Sequence, residues 1–550
     1  MSDETKIIYA KDYGILAGQE VAKGLNDLLL SLSDDSQHKT LVLERGEYYL
    51  DVDGVPKPIL YITNTIGDNE WKEGEEKHRN AVGLYFDGIK NLTLEGNGST
   101  FIAMGQMTNV AMCNCSNITI KNVTFKAKNP DMHRLTVVKK GIGYIDFALD
   151  EDSRYECSDG DYRFVGKGYC TPFFAHRNMA WWIGKIPTGQ PDVIFRTFHP
   201  LRGAYSFREI APYLFRAKYL VPIFCSVGDE FHLYDVRRKY QGIFADKCND
   251  IVLDGVRQSF NYGLATVFQR CENLTIVNCT FAPDKESGKK MASVADFIQV
   301  CSCRGKVEIV GNEFCGAGDD CLNVHGVHFK IVQIDGQDIL VKFMHPQTLG
   351  YCPFEEGDRL RFVSPRTLLV VGENRVGQAR LVDDYTIKIT LMSPIDTAVK
   401  GLVVENATAC PDVLFKGNSL TRIITRGLLL TSAGKIVVED NDFYNTSMNA
   451  ILISDDANSW YESGMVRDVT IEGNRFFGNE GYYVCVKPEN LVHDGFVHSG
   501  IVIKSNLFAS RHSKGLYFKS AGKCLVEDNT FKYGKTIKRI DSDVTIKDNE

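Results

Sequence analysis

One short phrase recurs along this chain: a turn residue (Asn, Asp or Gly), then apolar-x-apolar, then a second Asn or Gly turn, often closing on Phe. Asn117-Ile118-Thr119-Ile120-Lys121-Asn122-Val123-Thr124-Phe125 is one copy, and Asn273-Leu274-Thr275-Ile276-Val277-Asn278-Cys279-Thr280-Phe281 nearly repeats it. Further copies begin at Val307, Ile436, Val469 and Ile501 and close on Phe314, Phe443, Phe476 and Phe508. Phe281 and Phe314 stand 33 residues apart, Phe443 and Phe476 again 33, Phe476 and Phe508 32, and Phe508 and Phe531 23. Self-similarity at such a period marks a stacked repeat. Within each unit the apolar residues alternate with period two, are rich in Ile, Val and Thr, and end at Asn or Gly, so the repeating element is a short strand. The copies read as coils of a right-handed parallel β-helix, an all-β solenoid of the pectate-lyase-like kind.

The physics of stacking accounts for the letters. Coils in a parallel solenoid lie about 4.8 Å apart, so equivalent residues sit on one another. Inward Ile, Val and Phe then build a core that no single coil buries alone. Asn tolerates a left-handed corner and bonds its neighbour's backbone, which predicts Asn ladders. The Asn-x-Ser/Thr contexts at Asn117, Asn122 and Asn273 are read as part of those ladders, not as glycosylation acceptors.

A chain of 550 residues would ordinarily divide into several domains, but a solenoid grows along one axis. The net charge of −7 and the lack of a basic stripe exclude a nucleic-acid surface. No apolar run is long enough for a membrane span. Met1-Ser2-Asp3-Glu4-Thr5 has no leader character, which with 16 scattered cysteines predicts buried free thiols and a cytoplasmic location, or export if a leader has been removed. Cys301-x-Cys303 lacks a second half, so no metal site is assigned, and no cofactor is called for.

The repeat is interrupted twice, giving five segments. Residues 1–125 hold an N-terminal cap, with a strand-Gly-Tyr entry over Thr40–Leu50, and the first coils. Residues 126–245 are aromatic, carry Trp181-Trp182 as a core pair or rim, and have few Asn turns. Coils occupy 246–328, residues 329–408 contain hairpin-like runs at Gly357–Val363 and Tyr385–Leu391, and coils fill 409–550. Loops this long are seldom structureless, so each break is expected to be a small β-domain.

One coil is written differently. Gly316-Ala317-Gly318-Asp319-Asp320-Cys321-Leu322-Asn323-Val324-His325-Gly326 puts two acids beside glycines, and Asp296 lies 23 residues before Asp319, about one short coil below. Like charges on stacked coils repel, so they bring no stability by themselves. Three converging carboxylates suit acid/base hydrolysis of a glycoside, where one acid stays protonated and others activate water. An Asp pair capping a turn and a calcium site are the alternatives. A second unusual stretch, Ile451–Gly464, offers Trp460 to stack on a sugar and Asp456, Asn458 and Glu462 to bond its hydroxyls, or is simply a long turn with an aromatic lid. Arg426, Asn323 and His325 are further binding candidates.

Asp296, the Asp319-Asp320 pair and Asn323-Val324-His325-Gly326 resemble the catalytic stretch of glycoside hydrolase family 110, the exo-acting α-1,3-galactosidases. The resemblance covers most of the chain from Phe244 onward. It implies a β-helix interrupted by inserted β-barrel domains, removal of terminal α-1,3-linked galactose with inversion, Asp319 as general acid, and Asp296 and Asp320 as general bases. A galactose-terminated glycan is the implied partner. A polygalacturonase-like hydrolase, a β-eliminating lyase and a non-catalytic glycan-binding solenoid are the competing readings. Inversion needs acid and base about 6.5–9.5 Å apart, more than one rung, so a bulge at Gly316 and Gly318 is expected to re-aim Asp319 and Asp320.

Overall fold

The computed structural model describes residues 5–65, 75–175, 182–235, 237–395 and 399–550. Two long parallel sheets dominate it, one of 22 strands and one of 11, to which Glu462–Ser463 adds a short antiparallel pair. The larger carries the recurring phrase: Ser116–Ala127, Asn249–Asp254, Glu272–Val277, Arg304–Val310, Asp412–Lys416 and Lys435–Glu439 pair in parallel, rung on rung. The smaller forms the opposite wall from Val82–Asp87 to Ile537–Ile540 and includes Ile298–Cys301, Leu322–Val327 and Leu428–Thr431. Between the walls lies one continuous core of buried Ile, Leu, Val and Phe. The closing Phe residues stack along it, with ring centroids 5.1 Å apart for Phe281–Phe314 and 4.7 Å for both Phe443–Phe476 and Phe508–Phe531.

The corner Asn of the sequence phrase resolves into two columns. Asn117, Asn122, Asn273 and Asn278 take left-handed φ of 54° to 58° at the outer corner. Asn117 Nδ2 donates to Asn91 Oδ1 (2.8 Å) and Asn273 Nδ2 to Asp250 Oδ1 (3.0 Å), each one rung away. The next residue points inward. That inner position is Val123, Val256 and Cys279 in early coils, then Asn312, Asn418, Asn441, Asn474, Asn506 and Asn529. Each inner Asn donates its amide to the Oδ1 of the next, at 2.8–3.0 Å.

Helix Ala22–Ser31 closes the N-terminal end, turning Ala22, Leu25, Leu28 and Leu29 into the core. No helix among the described residues is long and apolar enough to cross a membrane. The cysteines are free, and Cys279 and Cys524 are buried as the phrase suggests, whereas Cys315 is partly open.

Both interruptions are β-structures of their own. The first is an open seven-stranded antiparallel sheet bounded by Met132–Gly141 and Glu230–Tyr234, accompanied by a three-stranded sheet over Tyr155–Phe174. An aromatic core that includes Phe147, Phe164, Phe173, Phe207 and Phe215 joins them. Trp181 lies outside the described residues, as does the side chain of Trp182. This insert is slightly shorter than 126–245, because the coil strand before it continues to Ala127 and the next begins at Ile243. The second interruption, Phe329–Asp335 through Val403–Asn406, does close into a six-stranded barrel. Neither breaks the ladder: Ser116 pairs with Asn249 across the first insert, and Val307 with Val413 across the barrel.

Candidate active site

Asp296 sits two residues before strand Ile298–Cys301, and Asp320 two residues before Leu322–Val327. Those strands pair Ile298 with Leu322 and Cys301 with His325, an offset that places Asp320, not Asp319, over Asp296. The Asp320 amide donates to Asp296 Oδ1 at 3.2 Å and the Phe297 amide to the Asp320 carbonyl at 3.0 Å. Asp319 is thus one residue out of the column. The expected bulge is absent, since pairing of Glu313–Ala317 with Ser419–Ile423 keeps one register throughout. The glycines serve close approach instead. Gly316 takes φ 83°, where a Cβ would meet the Lys290 carbonyl oxygen at 2.4 Å, and a Cβ on Gly318 would meet that of Val294 at 2.2 Å.

Three arginines from three parts of the chain converge on the acids. Arg196, from strand Phe195–Phe198 of the first insert, approaches Asp319 at 3.5 Å and donates to the Gly318 carbonyl at 3.3 Å. Arg238, where that insert returns to the solenoid, lies 3.4 Å from Asp319 Oδ2. Arg426 spans both acids, 3.7 Å from Asp319 and, through Nε, 2.8 Å from Asp320 Oδ1. Asp320 Oδ1 also accepts from the Thr425 hydroxyl (2.6 Å) and the Arg426 amide (3.1 Å). The Asp320 side chain is 1% exposed and that of Asp319 14%, so Asp319 is the more open of the adjacent pair.

These surroundings push the three carboxyls apart. Burial, with the charges of Asp319 and Asp320 beside it, holds Asp296 well above the usual carboxylate range. Asp320 is also raised, by burial and Asp319, against the pull of Arg426. Burial pushes Asp319 the same way, but Arg238, Arg196 and Arg426 together overcome it and hold Asp319 below its ordinary value. These surroundings therefore favour the charged form of Asp319 and the neutral form of Asp296 and Asp320. That charge distribution runs against the acid and base roles the resemblance implies, because a general acid must enter the reaction protonated.

Asn64, Leu429, Asn323, Trp460 and Glu462 complete the pocket with Arg238, Arg426 and the three acids. Asn323 Nδ2 donates to Glu462 Oε1 at 3.1 Å, while its Oδ1 is buried without a hydrogen-bond partner. Glu462 is positioned by a short antiparallel pairing of Glu462–Ser463 with Gly326 and Val327. Trp460 is 42% exposed and stacks on His345 of the barrel at 4.3 Å between ring centroids.

Three expected ligands are not at the pocket. His325 is buried behind it, donating from Nδ1 to the Gly326 carbonyl (2.7 Å) while Nε2 accepts from Gln299 Nε2 (2.9 Å) and stands 3.7 Å from Glu462, so it backs a pocket residue without lining the pocket. Both oxygens of Asp456 accept backbone amides of the turn, including those of Asn458 and Ser459 at 2.8 and 3.1 Å, and cannot also bind a sugar. Asn458 donates to the Pro365 carbonyl at 2.8 Å, tying the turn to the barrel. Arg196, Arg238, Thr425, Asn64 and His345 escaped sequence reading. The run Arg237-Arg238-Lys239 was the one local signal available, and only the fold shows where it points. No cluster of metal-ligating side chains occurs among the described residues.

Residues 338–401 match the GLAA-B beta-barrel domain II family, and residues 400–549 match the right handed beta helix region family. The chain is 31% identical to "Alpha-1,3-galactosidase A" of Bacteroides thetaiotaomicron, over 98% of this chain and 97% of that one. It belongs to the α-1,3-galactosidase family. "Alpha-1,3-galactosidase B" of Phocaeicola vulgatus is 27% identical over 96% of this chain and 90% of its own. Among solved structures, an exopolygalacturonase from Thermotoga maritima superposes with a TM-score of 0.44 at 9% identity, covering 99% of this chain and 92% of that chain.

Proposed function

We propose that this chain is an exo-acting α-galactosidase of glycoside hydrolase family 110 that releases terminal α-1,3-linked galactose with inversion. The observation that carries the reading is the carboxylate trio under three arginines, in a chain whose relatives of near-equal length are named α-1,3-galactosidases. The arginines are matched by carboxylates, so they do not make the cationic subsites an anionic pectin would require.

Inversion asks for one carboxyl to protonate the leaving oxygen while another takes a proton from water on the opposite face. Asp319 is the more open of the adjacent acids and faces the arginines that line the way out, which suits it to the departing sugar. Asp296 and Asp320 stack beneath, which suits them to water. A turnover then strips Asp319 of its proton and loads the lower pair. The trio titrates as one unit, and the next turnover requires the proton to return to Asp319. Glu462, held in place by Asn323, and the face of Trp460 are left to hold the galactose ring.

The deciding experiment follows hydrolysis of an α-1,3-linked galactose disaccharide by proton NMR. β-Galactose appearing first supports the reading. α-Galactose appearing first would mean retention and would overturn the roles of Asp296 and Asp320. No release of galactose would leave a binding solenoid.

A further inference from the structure

A second cavity adjoins the catalytic pocket. It lies where the first insert meets the solenoid, with an open volume of about 710 Å³ against about 350 Å³ for the catalytic pocket. The two share a wall. Arg238, which contacts Asp319, lines both, and Val294 of the second cavity carries the carbonyl that packs against Gly318, next to Asp319.

We propose that this second cavity is a subsite for the aglycone, taking a neutral pyranose of the glycan beyond the scissile bond. The inference rests on the α-galactosidase reading. If Asp319 protonates the leaving oxygen, the leaving sugar emerges beside Asp319, and of the three arginines on that acid Arg238 is the one that lines both cavities. The cavity on the far side of Arg238 is then the next space available.

Its chemistry fits hydroxyls in place of charge. Gln106 and Lys239 offer donors, and the ring of Tyr240 offers an aromatic surface. The cations there are largely matched: Arg238 pairs with Asp319 and Arg237 with Asp235. Asp131 is buried and accepts from Thr171 at 2.8 Å, and its negative charge is set against the ammonium of Lys239 in the same cavity. A balanced, polar cavity favours a sugar without carboxyl or sulfate groups.

The test compares two substrates on the full chain: an aryl α-galactoside, which ends at the scissile bond, and an α-1,3-galactosyl oligosaccharide with at least two sugars beyond it. Gln106→Ala combined with Lys239→Ala removes donors that touch neither the acids nor their arginines. Losing two such hydrogen bonds should lower kcat/KM on the oligosaccharide about tenfold, mainly through KM, and leave the aryl galactoside unchanged. An equal effect on both substrates, or none on the oligosaccharide, overturns the subsite. If the unaltered chain cleaves neither substrate, the functional reading falls. Calorimetric titration with the same oligosaccharide then judges the cavity alone: weaker binding by the double variant supports it, and equal binding overturns it.

Discussion

Two polar columns run through the same solenoid and have opposite characters. The inner ladder from Asn312 to Asn529 is buried and self-satisfying, since each amide donates to the neighbour above and accepts from the one below. The Asp296–Asp320 column, with Asp319 beside it, is equally buried but stacks like charges, which the Asp320 and Arg426 amides, Thr425 and three arginines relieve. The same 4.8 Å repeat gives stability when the stacked group is both donor and acceptor, and stored repulsion when it accepts only. A third case, Asp456, is a buried carboxylate met by backbone amides of its own turn, and it is structural for that reason.

The sharpest way to break the comparison is Asp319→Asn. If the acid column is functional, turnover of an α-1,3-linked disaccharide by the folded protein falls roughly 10²–10⁴-fold, and the melting temperature at neutral pH drops as well, because the ionised carboxylate held by three arginines is lost. An activated aryl galactoside suffers less, and the alkaline limb of its pH–rate profile disappears, because that limb reports ionisation of the acid. Should Asp296→Asn show that signature instead, the acid and base roles are exchanged.

The amide ladder should respond in stability alone. Asn441→Ala strands the Asn418 amides and the Phe415 carbonyl in the core, costing about 3 kcal/mol of stability in chemical denaturation. Activity of the remaining folded protein should be unchanged.

Asp296→Asn tests the repulsion directly. Asp296 is raised in the folded chain, so the folded state holds its proton more tightly than the unfolded state does. That linkage makes stability fall as pH rises above the unfolded value of about 4, and the amide removes it. The variant should be about 1 kcal/mol more stable than the natural chain near pH 7, with the two converging as pH falls toward 4. A variant less stable at pH 7 would show that the carboxylate is favourably held. The smallest effect is expected at Asp456→Asn, which weakens the turn under Trp460. KM should rise about threefold with little change in kcat, as one or two charged hydrogen bonds become neutral ones.

The repeat was legible in the sequence because stacking constrains every coil alike, down to the Phe column at 281, 314, 443, 476 and 508. The acid coil was legible because Gly-x-Gly-Asp-Asp breaks that repeat. Its register was less so. Counting 23 residues paired Asp296 with Asp319, whereas the strands pair Ile298 with Leu322 and put Asp320 in the column. Coil lengths vary in their turns, and turn length is weakly marked. Asp456 and Asn458 looked like sugar ligands because a turn-capping carboxylate and a binding one share the same letters; only their hydrogen-bond partners separate them. Arg196 and Arg238 were invisible for another reason. Nothing local tells which arginine of an insert will face a carboxylate 123 or 81 residues further on, because that contact is made by the docking of the insert.

The unbroken rungs across both interruptions have a consequence for assembly. Ser116 and Asn249, or Val307 and Val413, become neighbours only after more than a hundred intervening residues have folded or been looped out. Closing so long an excursion is entropically slow, yet an insert whose own ends meet about one rung apart delivers the next coil already in place. Each insert thus works as a splice that hands the strand back in phase. A lineage could lengthen, trim or exchange the collar around the pocket while the spine beneath keeps its count.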